Sequence, residues 1–326
     1  MTTARLAFTS AAVKWSHMST GGSQRTYSTR TKRLVTMSSG PEVVCLDCTG
    51  TIMRIKGSIP RLYLGVLEER LGVAEGGLPG TVSEDGLLRA FGTSLKRRSK
   101  ELPCFGAGVM SSEEWWAEVV LATFRGAGVS DKTLGLHGGG TGGENGGGGG
   151  RRIFDDVFDR LFHEVFTSTA AWELVPGAEQ VLEGLRDWCR EDGGPKALGA
   201  ISNFDERLHP LLRNLGVYDS FDFVLTSREC GSEKPEPGLF VEALKRAAAG
   251  RSDDRGGGDG SGDGRGVIVG DTFRTDVLGA RSVGWDAVLI TKGKSPAGED
   301  ERENERFRRV DDLKGVLAAL ATFGKR

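Results

Sequence analysis

Aspartate and glutamate are missing from the first 40 residues of this 326-residue chain, although they fill 45 of its positions overall. The same stretch carries Arg5, Lys14, Arg25, Arg30, Lys32 and Arg33 among many Ser and Thr. That is the composition of an organelle transit peptide, which is set aside in reasoning about the fold. Arg25-Thr26-Tyr27-Ser28 resembles a mitochondrial processing site, with cleavage after Tyr27. A plastid address shares the composition, and without either address a cytoplasmic protein is expected. The chain also lacks any apolar run long enough to span a bilayer, so no membrane segment is expected. A formal charge of -2 offers no electrostatic attraction for nucleic acid or an anionic membrane.

Other absences narrow the chemistry. The five cysteines, Cys45, Cys48, Cys104, Cys189 and Cys230, read as reduced thiols rather than a disulfide framework. Cys45 and Cys48 have C-x-x-C spacing, but positions i and i+3 of an extended strand face opposite ways, which disfavours a redox pair. The four histidines, His17, His137, His163 and His209, show no metal-ligand spacing. No G-x-S-x-G elbow exists for a serine hydrolase. Of the 50 glycines, 17 crowd into two tracts, 138–150 and 256–266, and neither tract has the order that cradles a nucleotide phosphate. Both read as flexible insertions, within 135–150 and 250–266.

What is present starts at Val43-Val44-Cys45-Leu46-Asp47-Cys48-Thr49-Gly50-Thr51-Ile52. An apolar run ends in an aspartate with a glycine three residues later. The pattern predicts a buried parallel strand that presents one carboxylate at its C-terminal tip, followed by a turn suited to Gly. Ligands of open α/β sheets bind at such tips. A carboxylate there is costly to desolvate without compensation, so Asp47 is a candidate metal ligand, nucleophile or both; taken alone, an Asp in this pattern is more often a helix cap or turn former. From Pro176 onward helices alternate with apolar runs at 196–201, 221–225, 267–269 and 287–290, and a helix over 311–323 closes the chain. Together with 43–46 these predict an α/β fold with a doubly wound, parallel, five-stranded Rossmann-like sheet. Residues 58–171 carry only helical patterns, including 112–125 with Trp115, Val119 and Ala122 on one face and capping residues at its start. They read as an all-helical insertion between core segments 41–57 and 172–326. Trp115 and Trp116 read as helix packing rather than as a substrate platform.

Three of the later strands lead into polar residues that the topology brings to one edge: Ser202 and Asn203, Lys234, and Asp271. Phosphoryl transfer uses such a set, a nucleophile with donors and fixed positive charge for the phosphoryl oxygens. Asp47-Cys48-Thr49-Gly50-Thr51, Ser202-Asn203, Lys234-Pro235 and Gly270-Asp271-Thr272-Phe273-Arg274-Thr275-Asp276 together resemble, in order, the four motifs of the haloacid dehalogenase (HAD) superfamily. The resemblance covers about residues 41–323 and implies that the helical insertion is a cap. It implies that Asp47 is a nucleophile forming an aspartyl-phosphate, that Ser202 binds a phosphoryl oxygen, and that Lys234 neutralises both. It further implies Mg²⁺ held by Asp47, the Thr49 carbonyl, Asp271 and Asp276, with Thr49, Gly50 and Asn203 contacting a small phosphorylated metabolite.

The pattern departs from the superfamily's phosphatases at Thr49, where those usually carry a second Asp as general acid and base. Losing such help costs on the order of 10²–10⁴ in rate. Thr at this position also occurs in the D-K-T-G-T motif of P-type ATPases, which form the same phospho-aspartate. The expected activity is a Mg²⁺-dependent phosphatase. The alternatives are a catalytically impaired phosphate-binding protein of the same fold and a 2-haloacid dehalogenase-type hydrolase. The cap is expected to open and close over Asp47, with Leu102–Gly106 and Lys96-Arg97-Arg98 at the entrance.

Overall fold

Val43–Leu46 (β1) is buried along its whole length, and its alternating side chains serve two different cores. In the computed structural model, which describes residues 41–78, 82–136, 151–249, 264–294 and 306–323, this strand lies inside the main sheet. The expected transit peptide and most of both glycine tracts lie outside the described residues. After β1 the chain forms β2 (Met53–Ile55) and then helices α1 (Ile59–Leu71) and α2 (Glu84–Glu101). A single turn, α3 (Pro103–Gly106), leads to α4 (Ser112–Gly126) and α5 (Ile153–Asp159), which continues as a wider turn to Val165. Then follow β3 (Trp172–Leu174), α6 (Ala178–Arg190), β4 (Ala197–Ser202), α7 (Leu208–Asn214) and β5 (Phe223–Thr226). The remainder is α8 (Ser227–Cys230), α9 (Gly238–Ala249), β6 (Gly266–Gly270), α10 (Gly279–Ser282), β7 (Asp286–Ile290), β8 (Phe307–Val310) and α11 (Val316–Leu320).

The main sheet is parallel, with strand order β5-β4-β1-β6-β7-β8. On one face Val44 and Leu46 pack with Val181 and Leu185 of α6, Leu208 and Leu211 of α7 and Val316 of α11. On the other, Val43 and Cys45 pack with Leu239, Phe240 and Ala243 of α9 and with Val277 and Trp285. The doubly wound α/β architecture therefore stands, but the sheet has six strands rather than five. The sixth, β8, reads Phe-Arg-Arg-Val and pairs only with β7. An edge strand can carry charges such as Arg308 and Arg309, so the apolar run that marks a buried strand is absent there. In place of the long closing helix there is a short turn at Leu313–Gly315 followed by α11.

A two-stranded antiparallel ribbon, β2 with β3, pairs Met53 with Leu174 and Ile55 with Trp172. Between these strands the described residues hold helices and turns but no strand. Their apolar faces make a separate core around Tyr63, Leu67, Phe91, Trp115, Val119, Phe124 and Phe158. Burying one such side chain contributes about 1.5–3 kcal/mol, so this block has cohesion of its own. Ser111 caps α4 with its hydroxyl and Glu114 reaches back to the Ser111 amide, the capping box its sequence promised. Arg98 sits against Glu118 at 2.8 Å, tying α2 to α4.

Candidate active site

Strand order sets the position of the site. The chain runs outward from β1 through β4 to β5 on one side, then resumes with β6, β7 and β8 on the other. The direction of winding changes at β1, and such switch points open a crevice at the C-terminal strand ends. Asp47 follows β1 directly and its backbone N–H still donates to the Val269 carbonyl at 2.9 Å. Its carboxylate is held in place but largely removed from water, the side chain being 11% exposed.

Three of the expected residues meet Asp47 there. The Lys234 ammonium donates to Asp47 Oδ1 at 2.8 Å and to Asp276 Oδ1 at 2.7 Å. Carboxylate oxygens of Asp47, Asp271 and Asp276 lie within 4.8 Å of one another. The Thr272 amide donates to Asp276 Oδ2 at 3.0 Å, which fixes that carboxylate from behind. Gly50 has φ +88 and a Cβ added there would collide with Asp271 Oδ2, so glycine serves both the turn and the gap. The Gly50 amide is bonded to the Met53 carbonyl, so it is committed to the turn.

The remaining expected residues take different places. Ser202, buried at the tip of β4, hydrogen-bonds with the Cys48 thiol. The Asn203 side chain donates to the Lys234 carbonyl at 2.8 Å and accepts from the Lys234 amide at 2.7 Å. It clasps the lysine's backbone across 31 residues of sequence. Thr49 carries a buried hydroxyl with no hydrogen-bond partner.

The charges do not balance locally, and the ionisation of each group follows. Burial pushes the Asp47 carboxyl from 3.8 up to about 7; Lys234 opposes this, while Asp276 and Asp271 add to it. Asp276 is raised by burial in the same way. Lys234 moves in the direction that keeps it charged: burial disfavours its ammonium, but Asp276 and Asp47 outweigh that. Both partners of one ion pair are thus raised, because three carboxylates crowd a site in which Lys234 is the buried cation. Clustered hard oxygens with surplus negative charge fit a divalent metal ion such as Mg²⁺.

Two contributors were not singled out in the sequence. Thr51 donates its hydroxyl to Asp47 Oδ2 at 3.2 Å; it stood at the end of the first motif. Lys292 places its ammonium 2.6 Å from Asp271 Oδ2; the strand-tip rule that marked Asp47, extended to β7, would have found it.

The helical block meets these strand tips through polar contacts. Trp116 donates its indole N–H to Asp205 Oδ2 at 2.7 Å, three residues beyond Ser202. Burial works against the Asp205 carboxylate, but Arg207 and Trp116 outweigh it and hold its pKa below the usual range. The Arg207 guanidinium lies 4.0 Å from the Phe162 ring centre. Arg228 of α8 donates to the carbonyls of Phe105 and, at 2.7 Å, Met110, and pairs with Glu206. The turn it holds includes Cys104 and Phe105 at φ +50 and +55, a region that strains residues bearing a Cβ. Glu233, beside Lys234, accepts the Cys104 amide. The Leu102–Gly106 turn therefore lies against the loops that present the site, whereas Arg98 is engaged within the helical block. Arg228→Ala is expected to lose about 1–3 kcal/mol of stability through the unpaired carbonyls and Glu206, read by urea unfolding; an unchanged midpoint would show that the turn holds without it.

Known proteins resemble this chain in sequence and in fold. Residues 232–316 match a family model described as HAD-hydrolase-like. Haloacid dehalogenase-like hydrolase domain-containing protein 3 of Mus musculus is 33% identical over 227 residues, covering 69% of this chain and 75% of its own. Glyceraldehyde 3-phosphate phosphatase of Methanothermobacter thermautotrophicus is 37% identical over 127 residues, 38% of this chain and 50% of that protein. The solved 2-haloacid dehalogenase of Pseudomonas syringae pv. Tomato superposes with a TM-score of 0.51 at 22% identity, covering 86% of this chain and 98% of the other, a likeness of fold. The chain belongs to the haloacid dehalogenase-like hydrolases.

Proposed function

We propose that this protein is a Mg²⁺-dependent phosphatase of small phosphorylated metabolites that works through an aspartyl-phosphate on Asp47. The observation that carries the reading is the cluster of Asp47, Asp271 and Asp276 around the buried Lys234 ammonium. The phosphatase name of the Methanothermobacter relative supports the choice of substrate class.

The chain's residues divide the work as follows. Ionised Asp47 directs one carboxylate oxygen at phosphorus while Thr51 and Lys234 hold the carboxylate in orientation. The new bond is an acyl phosphate, the bond to the ester oxygen breaks, and the departing oxygen takes a proton from water. Lys234 offsets negative charge on the phosphoryl oxygens, and the Ser202 hydroxyl turns from Cys48 to donate to one of them. Asn203 keeps Lys234 in place through its backbone. Mg²⁺, held by Asp47, Asp271 and Asp276 together with the Thr49 carbonyl, would supply further charge neutralisation for the phosphoryl group. Water then cleaves the acyl phosphate and regenerates the Asp47 carboxylate. The helical block acts as a cap that excludes water from the strand tips.

The orphaned Thr49 hydroxyl favours a second reading, in which phosphoryl capture outpaces its release and the protein is a weak catalyst or a phosphate binder. A hydroxyl is a poor general base, so the second step lacks the assistance worth about 10²–10⁴ in rate. Dehalogenation fits less well, since displacement of halide by Asp47 has no use for a metal-holding carboxylate set. Phosphate release from a panel of phosphorylated metabolites, with Mg²⁺ or with EDTA, tests the reading. Release that requires Mg²⁺ is expected, while equal release in EDTA, or halide release from 2-haloacids instead, would contradict it. Binding of phosphate without turnover would select the second reading.

A further inference from the structure

Lys292 lies outside the set just described, yet its ammonium sits 2.6 Å from Asp271 Oδ2, nearer than the Thr272 hydroxyl, which is 3.3 Å from Oδ1 of the same carboxylate. Its position is built rather than accidental. Strands β6 and β7 are neighbours, with Gly270 paired to Leu289, so the turn after β7 emerges beside Asp271. That turn is pinned at several points. The Thr291 amide donates to the Val310 carbonyl at 2.8 Å and the Thr291 hydroxyl to Asp311 Oδ1 at 3.0 Å. The Lys292 amide donates to the Asp311 carbonyl at 3.0 Å, and the Lys294 amide returns to the Thr291 carbonyl at 3.1 Å. Lys292 itself has φ +55, a backbone region that disfavours any residue with a Cβ, although glycine follows it at once. Strain of this kind persists where surrounding structure over-determines it, and it concentrates at functional sites.

The two lysines of the cluster differ in one decisive respect. Lys234 is 2% exposed and bonded to two carboxylates, so it cannot leave without stranding buried charge. Lys292 is 45% exposed and touches one carboxylate, so water can take over its ammonium at little cost. Both Lys292 and a divalent ion would compete for Asp271 Oδ2. Counting formal charges, three carboxylates and two ammoniums leave the cluster at about -1.

Resting on the metal-site reading above, we propose that Lys292 is a resident counter-cation on the Asp271 side of the cluster. It must be displaced when the divalent ion binds, and so sets the metal affinity. Lys292 keeps the metal-free carboxylates from repelling one another, and Mg²⁺ binding becomes an exchange of one cation for another. Lys292 is a positioning residue in this scheme, acting through Asp271.

Titration of the full chain with MgCl₂ by isothermal calorimetry tests this, comparing wild type with Lys292→Met, Lys292→Gln, Lys292→Arg and Asp271→Asn. The neutral variants are expected to bind Mg²⁺ on the order of tenfold more tightly, and Lys292→Arg to bind like wild type, because charge rather than shape is what competes. In the same variants the rise in melting temperature on adding MgCl₂ should grow when residue 292 is neutral. Asp271→Asn should lose Mg²⁺ binding. If it does but the neutral variants bind no more tightly than wild type, the role of Lys292 is overturned and the metal site stands. If Asp271→Asn binds Mg²⁺ as wild type does, the metal-site reading fails and this proposal with it.

Discussion

Asp47→Asn is expected to reduce phosphate release by a factor on the order of 10⁴–10⁶, as removal of a covalent nucleophile does. The same substitution should stabilise the metal-free protein above neutral pH. The Asp47 carboxyl ionises near 3.8 when unfolded but at about 7 in the folded state, because burial and its carboxylate neighbours resist the charge. A raised folded-state value favours folding fully below pH 3.8, and that contribution is lost as pH rises through about 7. At pH 8 the wild type therefore carries an unfavourable buried charge that asparagine lacks. Thermal melts in EDTA should place Asp47→Asn above wild type at pH 8. That margin should shrink or reverse at pH 4–5, where the wild-type carboxyl holds its proton in the folded state. Loss of activity accompanied by loss of stability at pH 8 would instead mean that Asp47 is structural.

Lys234→Met should have the opposite effect on stability. It strands two buried carboxylates, Asp47 and Asp276, which both depend on its ammonium. Breaking a buried ion pair by removing one partner costs about 3–5 kcal/mol. The loss should be largest above pH 7 and smaller near pH 5, where Asp47 and Asp276 take protons more readily than ordinary carboxylates. Chemical unfolding at the two pH values reads this directly. In the double variant with Asp47→Asn, one stranded charge is gone, so the combined loss should be less than Lys234→Met alone. A pH-independent loss would place the cause in packing around the lysine stem.

The contrast between these substitutions explains which parts of the site were legible in the sequence. Asp47 and Asp271 follow, and Ser202 ends, a strand buried on both faces, and such strands read as unbroken apolar runs. A polar residue at the end of the run is conspicuous. The edge strand β8 escaped notice because its arginines need no burial on the open side. Lys292 follows the apolar run of β7 much as Asp47 follows that of β1, but its reach to Asp271 depends on a left-handed turn that side-chain identity does not announce. The Asn203 clasp on Lys234 and the Trp116 bond to Asp205 join segments far apart in sequence, with no local pattern to betray them. The strained turn at Cys104 and Phe105 is invisible for the same reason, since neither residue favours that backbone region. Pattern thus revealed the strands and the chemistry at their tips, while the second layer that orients this chemistry emerges from packing.

The central claim is that Asp47 becomes covalently phosphorylated during turnover. Borohydride quenching during turnover of a substrate, followed by peptide mass analysis, converts an acyl phosphate of aspartate to homoserine and marks its position. The account predicts homoserine at residue 47, abolished by Asp47→Asn and by EDTA. Turnover without modification at residue 47, or with modification at another carboxylate, would contradict it.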